Sequence, residues 1–387
     1  MKIVKINNYK YNKPFRFNFH STQTFRTSAE SIIVRLEFEN GISGYGESTP
    51  MTYVTGEDCS SVVQVIQNCF SSILFSHEIH TIDDVVGVLN ELESECFKRN
   101  ILHYNSALGA IDIALLDALG KLQKVPVTNF LGSIVREKAL YSISIPFLPL
   151  QKIKELFFQL PKSNVKYVKV LVGETESENI KRVKLIRSLF GDHVDIRVEN
   201  NGKWTFQQAV SNLEKLDKFN ITAVEQPIAK EDIVGLQRLK KAIRIPIIVD
   251  ESMCSLSDAR NLIEKDACDI LNIKISKCGG LLRSRDIAHF AKSQNISCQM
   301  GAHVGETEIL NAAGKSFALT TSNLIYFEGA SFLLFKETYS NNQFEIKNVI
   351  EDRVSNFGLG IKLTNQQLIM KHCLPIVELS DKTVHSS

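Results

Sequence analysis

Between residues 141 and 330 one pattern recurs along the chain. Short apolar runs alternate with segments of helical periodicity. The apolar runs are YSISIPF (141–147), KYVKVLV (166–172), VDIRVEN (194–200), TAVEQP (222–227), PIIVDES (246–252), DILNIKIS (269–276), ISCQMGA (296–302) and NLIYFEGA (323–330). Most are separated by amphipathic stretches such as ESENIKRVKLIRSLFG, and the gap between the seventh and eighth also has helical spacing. Strands that alternate with helices of about 10–15 residues form βαβ units and a parallel sheet. Eight such units suggest closure into a (β/α)8-type barrel.

The preceding segment has a different texture. SIIVRLEFENGISGYGES places Asn40-Gly41 between two alternating runs, a strong hairpin signal. From about Asp58 to Lys124 the periodicity is helical, and SALGAIDIALLDALGKLQKVP stops near Pro126. Residues 1–135 are therefore expected to form an α+β domain, and 136–336 the barrel. The stretch from about 337 to 387 is too short for a core of its own and is expected to return to the first domain.

Composition narrows the function. The 387 residues are 44% hydrophobic and 23% charged, with a formal net charge of +2. The basic residues are scattered and not interleaved with aromatics, which argues against nucleic acid. No apolar run reaches the roughly 18 residues of a membrane span. The opening MKIVKINNYK alternates like a strand and lacks the apolar core of a signal peptide. The eight cysteines form no C-x-x-C pair and are expected to be free thiols of a cytoplasmic protein.

Several barrel strands finish on charged or amide residues: Lys169, Glu199 with Asn201, Glu225, Asp250 with Glu251, and Lys274. The C-terminal ends of barrel strands share one rim, where active sites sit. Glu199, Glu225 and Asp250 end three consecutive strands, so their carboxylates should converge. Like charges at short range raise one another's pKa, and a hard divalent cation such as Mg2+ resolves the conflict. Any one of these acids alone would read as a solvated rim residue. Lys274 lies roughly across the barrel from Lys169 and is suited to take a proton α to a carboxylate, although an ion pair with Asp250 is a fair rival. His303, with Glu306 close by in GAHVGET, could orient the substrate or act as a second acid/base.

At these residues the chain resembles the enolase superfamily, within the muconate-lactonizing-enzyme-like and dipeptide-epimerase-like group. ALGAIDIALLDALGKLQKVPVTNFLG (107–132), VENNGKW (198–204), VEQP (224–227), VDES (249–252) and LNIKISKCGGL (271–281) carry the resemblance in this order. It implies an α+β capping domain, completed by the C-terminal tail, over a (β/α)7β TIM-like barrel. It implies Mg2+ held by Glu199, Glu225 and Asp250, with Lys274 as the strand-six lysine. Cap loops near 18–28 and 50–57 would close over the substrate, with Arg26 and Tyr53 as contacts. Relatives commonly assemble, so a homo-oligomer is expected.

The chain also departs from that pattern. The group usually carries K-x-K on strand two, and its second lysine is commonly an acid/base. Here the aligned residues are Lys169, Val170 and Leu171. Strand three ends on Glu199 where an aspartate is usual, and HVGET puts an imidazole at the strand-seven rim. An epimerase needs a base on each face of the α-carbon, and Leu171 removes one. The leading expectation is therefore one-base chemistry from Lys274, a β-elimination such as dehydration or a cycloisomerisation. The alternatives are a two-base epimerase or racemase of an amino-acid derivative or dipeptide, with His303 or Lys169 as second base, and a catalytically lapsed metal-binding barrel. In each enzymatic case the substrate is a small carboxylate anion.

Overall fold

The computed structural model describes residues 1–20, 25–159, 165–173, 175–329, 350–352, 356–361 and 373–381. Its N-terminal part is an antiparallel sheet in the order Cys373–Ser380, Ile3–His20, Phe25–Phe38, Ser43–Ser48. The Asn40-Gly41 turn joins the last two strands, and Gly41 takes φ 80, a left-handed conformation that glycine adopts without steric cost. The C-terminal strand pairs antiparallel with the first, from Lys5 opposite Ser380 to Tyr11 opposite Cys373.

The helix Asn105–Gln123 is the keel of the molecule. Every residue from Ser106 to Gly120 is buried, because the helix packs against the sheet on one side and the barrel helix Leu281–Ser293 on another. Its approach to the strand Ser43–Ser48 requires glycine. A Cβ on Gly46 would lie 1.8 Å from the Ala110 carbonyl oxygen, and one on Gly44 would lie 2.0 Å from that of Ala114.

The second part is a parallel sheet of eight strands in sequence order. Barrel strands one to eight are Ile143–Ile145, Tyr167–Leu171, Asp195–Glu199, Ile221–Glu225, Ile247–Val249, Ile270–Ile273, Ser297–Met300 and Leu324–Phe327. Seven α-helices alternate with them, from Leu150–Gln159 to Glu308–Thr320. The Ser142 N–H donates to the Phe327 carbonyl at 2.7 Å and links the two ends of the sheet. The barrel is therefore (β/α)7β among the described residues. Its interior is less apolar than the strand pattern suggests. Arg197 on strand three is fully buried, stacks 4.0 Å over the Tyr326 ring, and donates to Gln299 and to Ser142 Oγ.

Buried carboxylates lock the two parts together at helix N-termini, where unpaired N–H groups attract anions. Glu47 from the cap sheet accepts from the N–H groups of Thr307 and Leu310 at the start of the last barrel helix. Asp112 from the keel helix accepts from Leu281 N–H at the start of another. All eight cysteines are free. Among the described residues no helix is long and apolar enough to cross a membrane.

Candidate active site

Glu199 closes barrel strand three and Glu225 strand four, and Leu171, Glu199 and Glu225 stand in register across adjacent strands. Asp250 follows strand five by one residue, and Lys274 follows strand six by one. The chain turns outward directly after the acids. Asn201 and Gln226 take φ 54 and 37, both left-handed. Gln226 uses that turn to aim its side chain back, and its Oε1 accepts from Asp250 N–H at 2.9 Å and Ser252 N–H at 3.2 Å. One carboxylate oxygen from each of Glu199, Glu225 and Asp250 lies within 4.8 Å of the others, and all three residues are buried.

Lysine ammonium groups hold this group together. Lys169 Nζ lies 2.9 Å from Glu199, 3.3 Å from Glu225 and 2.9 Å from Glu328. Burial opposes its charge, but Glu199, Glu225 and Glu328 outweigh burial and hold the ammonium above its ordinary pKa. Lys274 contacts Asp250 Oδ2, and Lys277 reaches Asp250 Oδ1 at 2.9 Å and the Asp250 carbonyl at 2.7 Å. Burial would raise the pKa of Asp250, yet Lys274 and Lys277 keep it far below the usual carboxylate range. Glu225 goes the other way. Burial, reinforced by Glu199, Glu328 and Asp250 against the pull of Lys169, pushes it up to about 8. Glu251 is pushed up to about 7 by burial and by Asp250, and its Oε2 has no partner among the described residues.

This donor set fits a hard divalent cation. It is all oxygen, buried and crowded enough to force Glu225 toward protonation, a conflict that a dication at the triad removes.

The remaining rim residues come from the cap and from turns beyond the barrel strands. Tyr53, on the cap turn Thr52–Thr55, has its phenol pushed up to about 12 by burial, with Lys274, Glu251, Asp250 and Glu199 as its charged neighbours. Lys230 Nζ donates to the carbonyls of Tyr53 and Val54 at 2.9 and 3.1 Å, fastening that turn to the barrel. Arg26 Nη1 donates to the Val304 carbonyl at 3.0 Å. Arg26 stands at the start of the strand Phe25–Phe38, so the loop expected near 18–28 is strand at 18–20 and 25–28, and residues 21–24 lie outside the described residues. Glu306 accepts from His303 N–H at 2.6 Å, and burial pushes its carboxyl up to about 8.

His303 Nδ1 sits 2.7 Å from the Thr49 carbonyl. Burial, followed by the charge of Lys274, lowers its pKa to about 3. The imidazole is therefore neutral in this protein and is a poor proton donor, which weighs against the acid role considered from the sequence.

The structure thus gathers Glu199, Glu225, Asp250, Lys169 and Lys274 into one cluster. Sequence reading missed Lys277 and Glu328. Glu328 follows strand eight by one residue in YFEGA, as Asp250 follows strand five, and carries the same strand-end signal as the other acids. Lys277 lies in a turn beyond strand six, where nothing in the pattern marks it.

Comparison with known families agrees with this geometry. Residues 158–367 match the enolase C-terminal domain-like family, and residues 2–132 match the mandelate racemase/muconate lactonizing enzyme N-terminal domain. The chain belongs to the mandelate racemase/muconate lactonizing enzyme family of the enolase superfamily. Within the family it is 27% identical to an N-succinyl-L-Arg/Lys racemase of Bacillus cereus, over 95% of this chain and 97% of that one. It is 30% identical to a hydrophobic dipeptide epimerase of Enterococcus faecalis, over 77% and 81%. The crystal structure of the Bacillus cereus racemase superposes with a TM-score of 0.88 at 26% identity, covering 98% of this chain and 99% of that one. A dipeptide epimerase of Cytophaga hutchinsonii, solved with Mg and the dipeptide D-Ala-L-Val, superposes with a TM-score of 0.87 at 25% identity, covering 97% and 100%.

Proposed function

We propose that this chain is a Mg2+-dependent isomerase that epimerises or racemises the carbon α to the carboxylate of an N-acylated amino acid, either a dipeptide or a simpler N-acyl derivative. The observation that carries the reading is the contact of Lys274 with the buried triad, which sets a lysine beside the metal position. The relatives supply the substrate class. The racemase and epimerases named above act on amino-acid derivatives, and this favours the two-base alternative over the elimination or cycloisomerisation expected first from Leu171.

Glu199, Glu225 and Asp250 would hold the cation. Bound there, Mg2+ would supply positive charge to the substrate carboxylate as the α-carbon becomes electron-rich. Against burial, Asp250 and its neighbouring acids hold Lys274 as an ammonium. With a cation at the triad taking over their charge, Lys274 as the free amine would take the proton on its face of the α-carbon. On the opposite face, Leu171 offers no base, and Lys169, two residues earlier on the same side of strand two and in contact with Glu199, is the ammonium that strand supplies. Glu328 keeps Lys169 in place from strand eight.

Incubation in D2O with Mg2+ and a panel of dipeptides and N-succinyl amino acids tests the assignment. The expected product is the opposite stereoisomer carrying deuterium at the α-carbon. Lys274→Ala should lower turnover about 10²–10⁴-fold, and Lys169→Met should block exchange from the opposite enantiomer. The buried Leu171 specifically favours a second reading, one-base elimination or cycloisomerisation. An olefinic or cyclised product with no stereoisomer would establish that chemistry and sink the epimerase.

A further inference from the structure

His303 is 3% exposed and has one polar atom with nothing to bind. A carbonyl oxygen only accepts, so the contact with Thr49 puts the proton on Nδ1. Nε2 is left as a bare lone pair, and it has no partner among the described residues. The tautomer is fixed from the cap, because Thr49 is itself pinned to the barrel by its N–H donating to Ser276 Oγ at 3.1 Å. His303 follows barrel strand seven, Ser297–Met300, by three residues, beside strand six and Lys274, which places it on the rim that carries the acids. A buried acceptor without a donor is unfavourable, and a site that keeps one selects ligands able to complete it.

We infer that His303 Nε2 accepts a hydrogen bond from the amide N–H on the α-carbon of the substrate, and so selects N-acylated amino acids. The inference rests on the substrate class proposed above. What all such substrates share is a carboxylate and an acyl oxygen, which only accept and which a bare lone pair repels, and one amide N–H, which donates; the ammonium groups of L-Ala-L-Glu and N-succinyl-L-lysine sit at different places and are unchanged in the ester analogues. Of these groups only the N–H fits Nε2. His303 is then a specificity residue rather than an acid or base.

The test uses L-Ala-L-Glu and N-succinyl-L-lysine, each beside an analogue with ester oxygen in place of the amide N–H. α-Proton exchange in D2O is followed by NMR with Mg2+ present. The wild-type enzyme should prefer the amides by roughly ten- to a hundredfold in kcat/KM, and His303→Phe should reduce that preference to within about threefold by slowing only the amides. The wild-type protein provides a second readout that needs no variant. Its ¹⁵N spectrum should show His303 protonated at Nδ1 and bare at Nε2, and the Nε2 signal should move on adding the amides but not the esters. Equal exchange of amides and esters, a preference that survives His303→Phe, or a proton on Nε2 overturns the inference and leaves the epimerase reading standing. So does an equal loss on both substrate types with a shifted pH profile, which would make Lys274 the donor to Nε2. Absence of exchange from every member of the panel sinks the epimerase reading, and the inference falls with it.

Discussion

Asp250 shows how much one buried residue depends on its partners. It is fully buried and carries two lysines, Lys274 on one oxygen and Lys277 on the other. Lys277 is also fully buried and donates to the Asn272 carbonyl at 2.8 Å, so it joins the ends of strands five and six. Removing one member of a buried pair strands the other charge, at about 3–5 kcal/mol. Lys277→Met keeps Lys274 on Oδ2 but strands Oδ1 together with the buried carbonyls of Asp250 and Asn272. It should therefore lower the stability of the EDTA-treated protein by on the order of 3–5 kcal/mol, measured by urea denaturation. Mg2+ should restore part of the loss, because a dication at the triad compensates the same carboxylate. Lys274→Met should cost less stability, since Lys277 still holds Asp250, and nearly all activity. That outcome would separate a structural role for Lys277 from a chemical one for Lys274 within four residues of sequence.

At the scale of elements, the keel helix Asn105–Gln123 governs how the cap sits on the barrel. Gly46→Ala would drive a Cβ into the Ala110 carbonyl, and neither backbone can retreat without opening the cap core. The expected loss is more than about 3 kcal/mol, read as a fall in Tm or as insoluble protein. Asp112, on the same helix, caps the barrel helix Leu281–Ser293. Burial raises its carboxyl from an ordinary 3.8 to about 7. The folded state therefore binds its proton more tightly than the unfolded chain does. That contribution is fully present below about pH 4 and is lost as pH rises through about 7. Glu47, raised from 4.5 to about 7 by burial, adds in the same direction. Melting temperature should accordingly fall from pH 5 to pH 8, and Asp112→Asn should flatten that slope. An unchanged slope in the variant would show that Asp112 does not titrate across this range.

The whole molecule places a negative cluster where cap and barrel meet, and the cluster is incomplete without a dication. EDTA should lower the Tm and Mg2+ should raise it, by the mass-action stabilisation of any ligand that binds only the folded state. Glu225→Gln separates the two effects. Glu225 is the acid that its neighbours push up to about 8. Making it neutral should leave the metal-free protein as stable as the wild type or more so, while abolishing the Mg2+-dependent rise in Tm. Calorimetric titration with Mg2+ would check the loss of binding directly. A full Tm response in Glu225→Gln would remove Glu225 from the ligand set.

The sequence by itself determined the strands, the hairpin and the strand-end acids, because each is written in a local period of two or 3.6 residues or in a short turn motif. Glu199, Glu225, Asp250 and Lys274 could be grouped from sequence for that reason, since parallel barrel strands deliver their ends to a common rim. Only the tertiary structure decided which charges meet. Lys277 pairs with Asp250 across 27 residues, and Lys169 with Glu328 across 159. The state of His303 is set by a carbonyl 254 residues away. Nothing in a local pattern encodes such contacts, because they depend on how the cap is seated on the barrel. Burial then shifts each group according to its neighbours rather than its type, so Asp250 stays ionised while Glu225, at the end of the adjacent strand, is driven toward its proton. Leu171 was legible from the start as a departure on strand two. Its place in register with Glu199 and Glu225 makes it a wall of the site, and Lys169 the ammonium that remains on that strand.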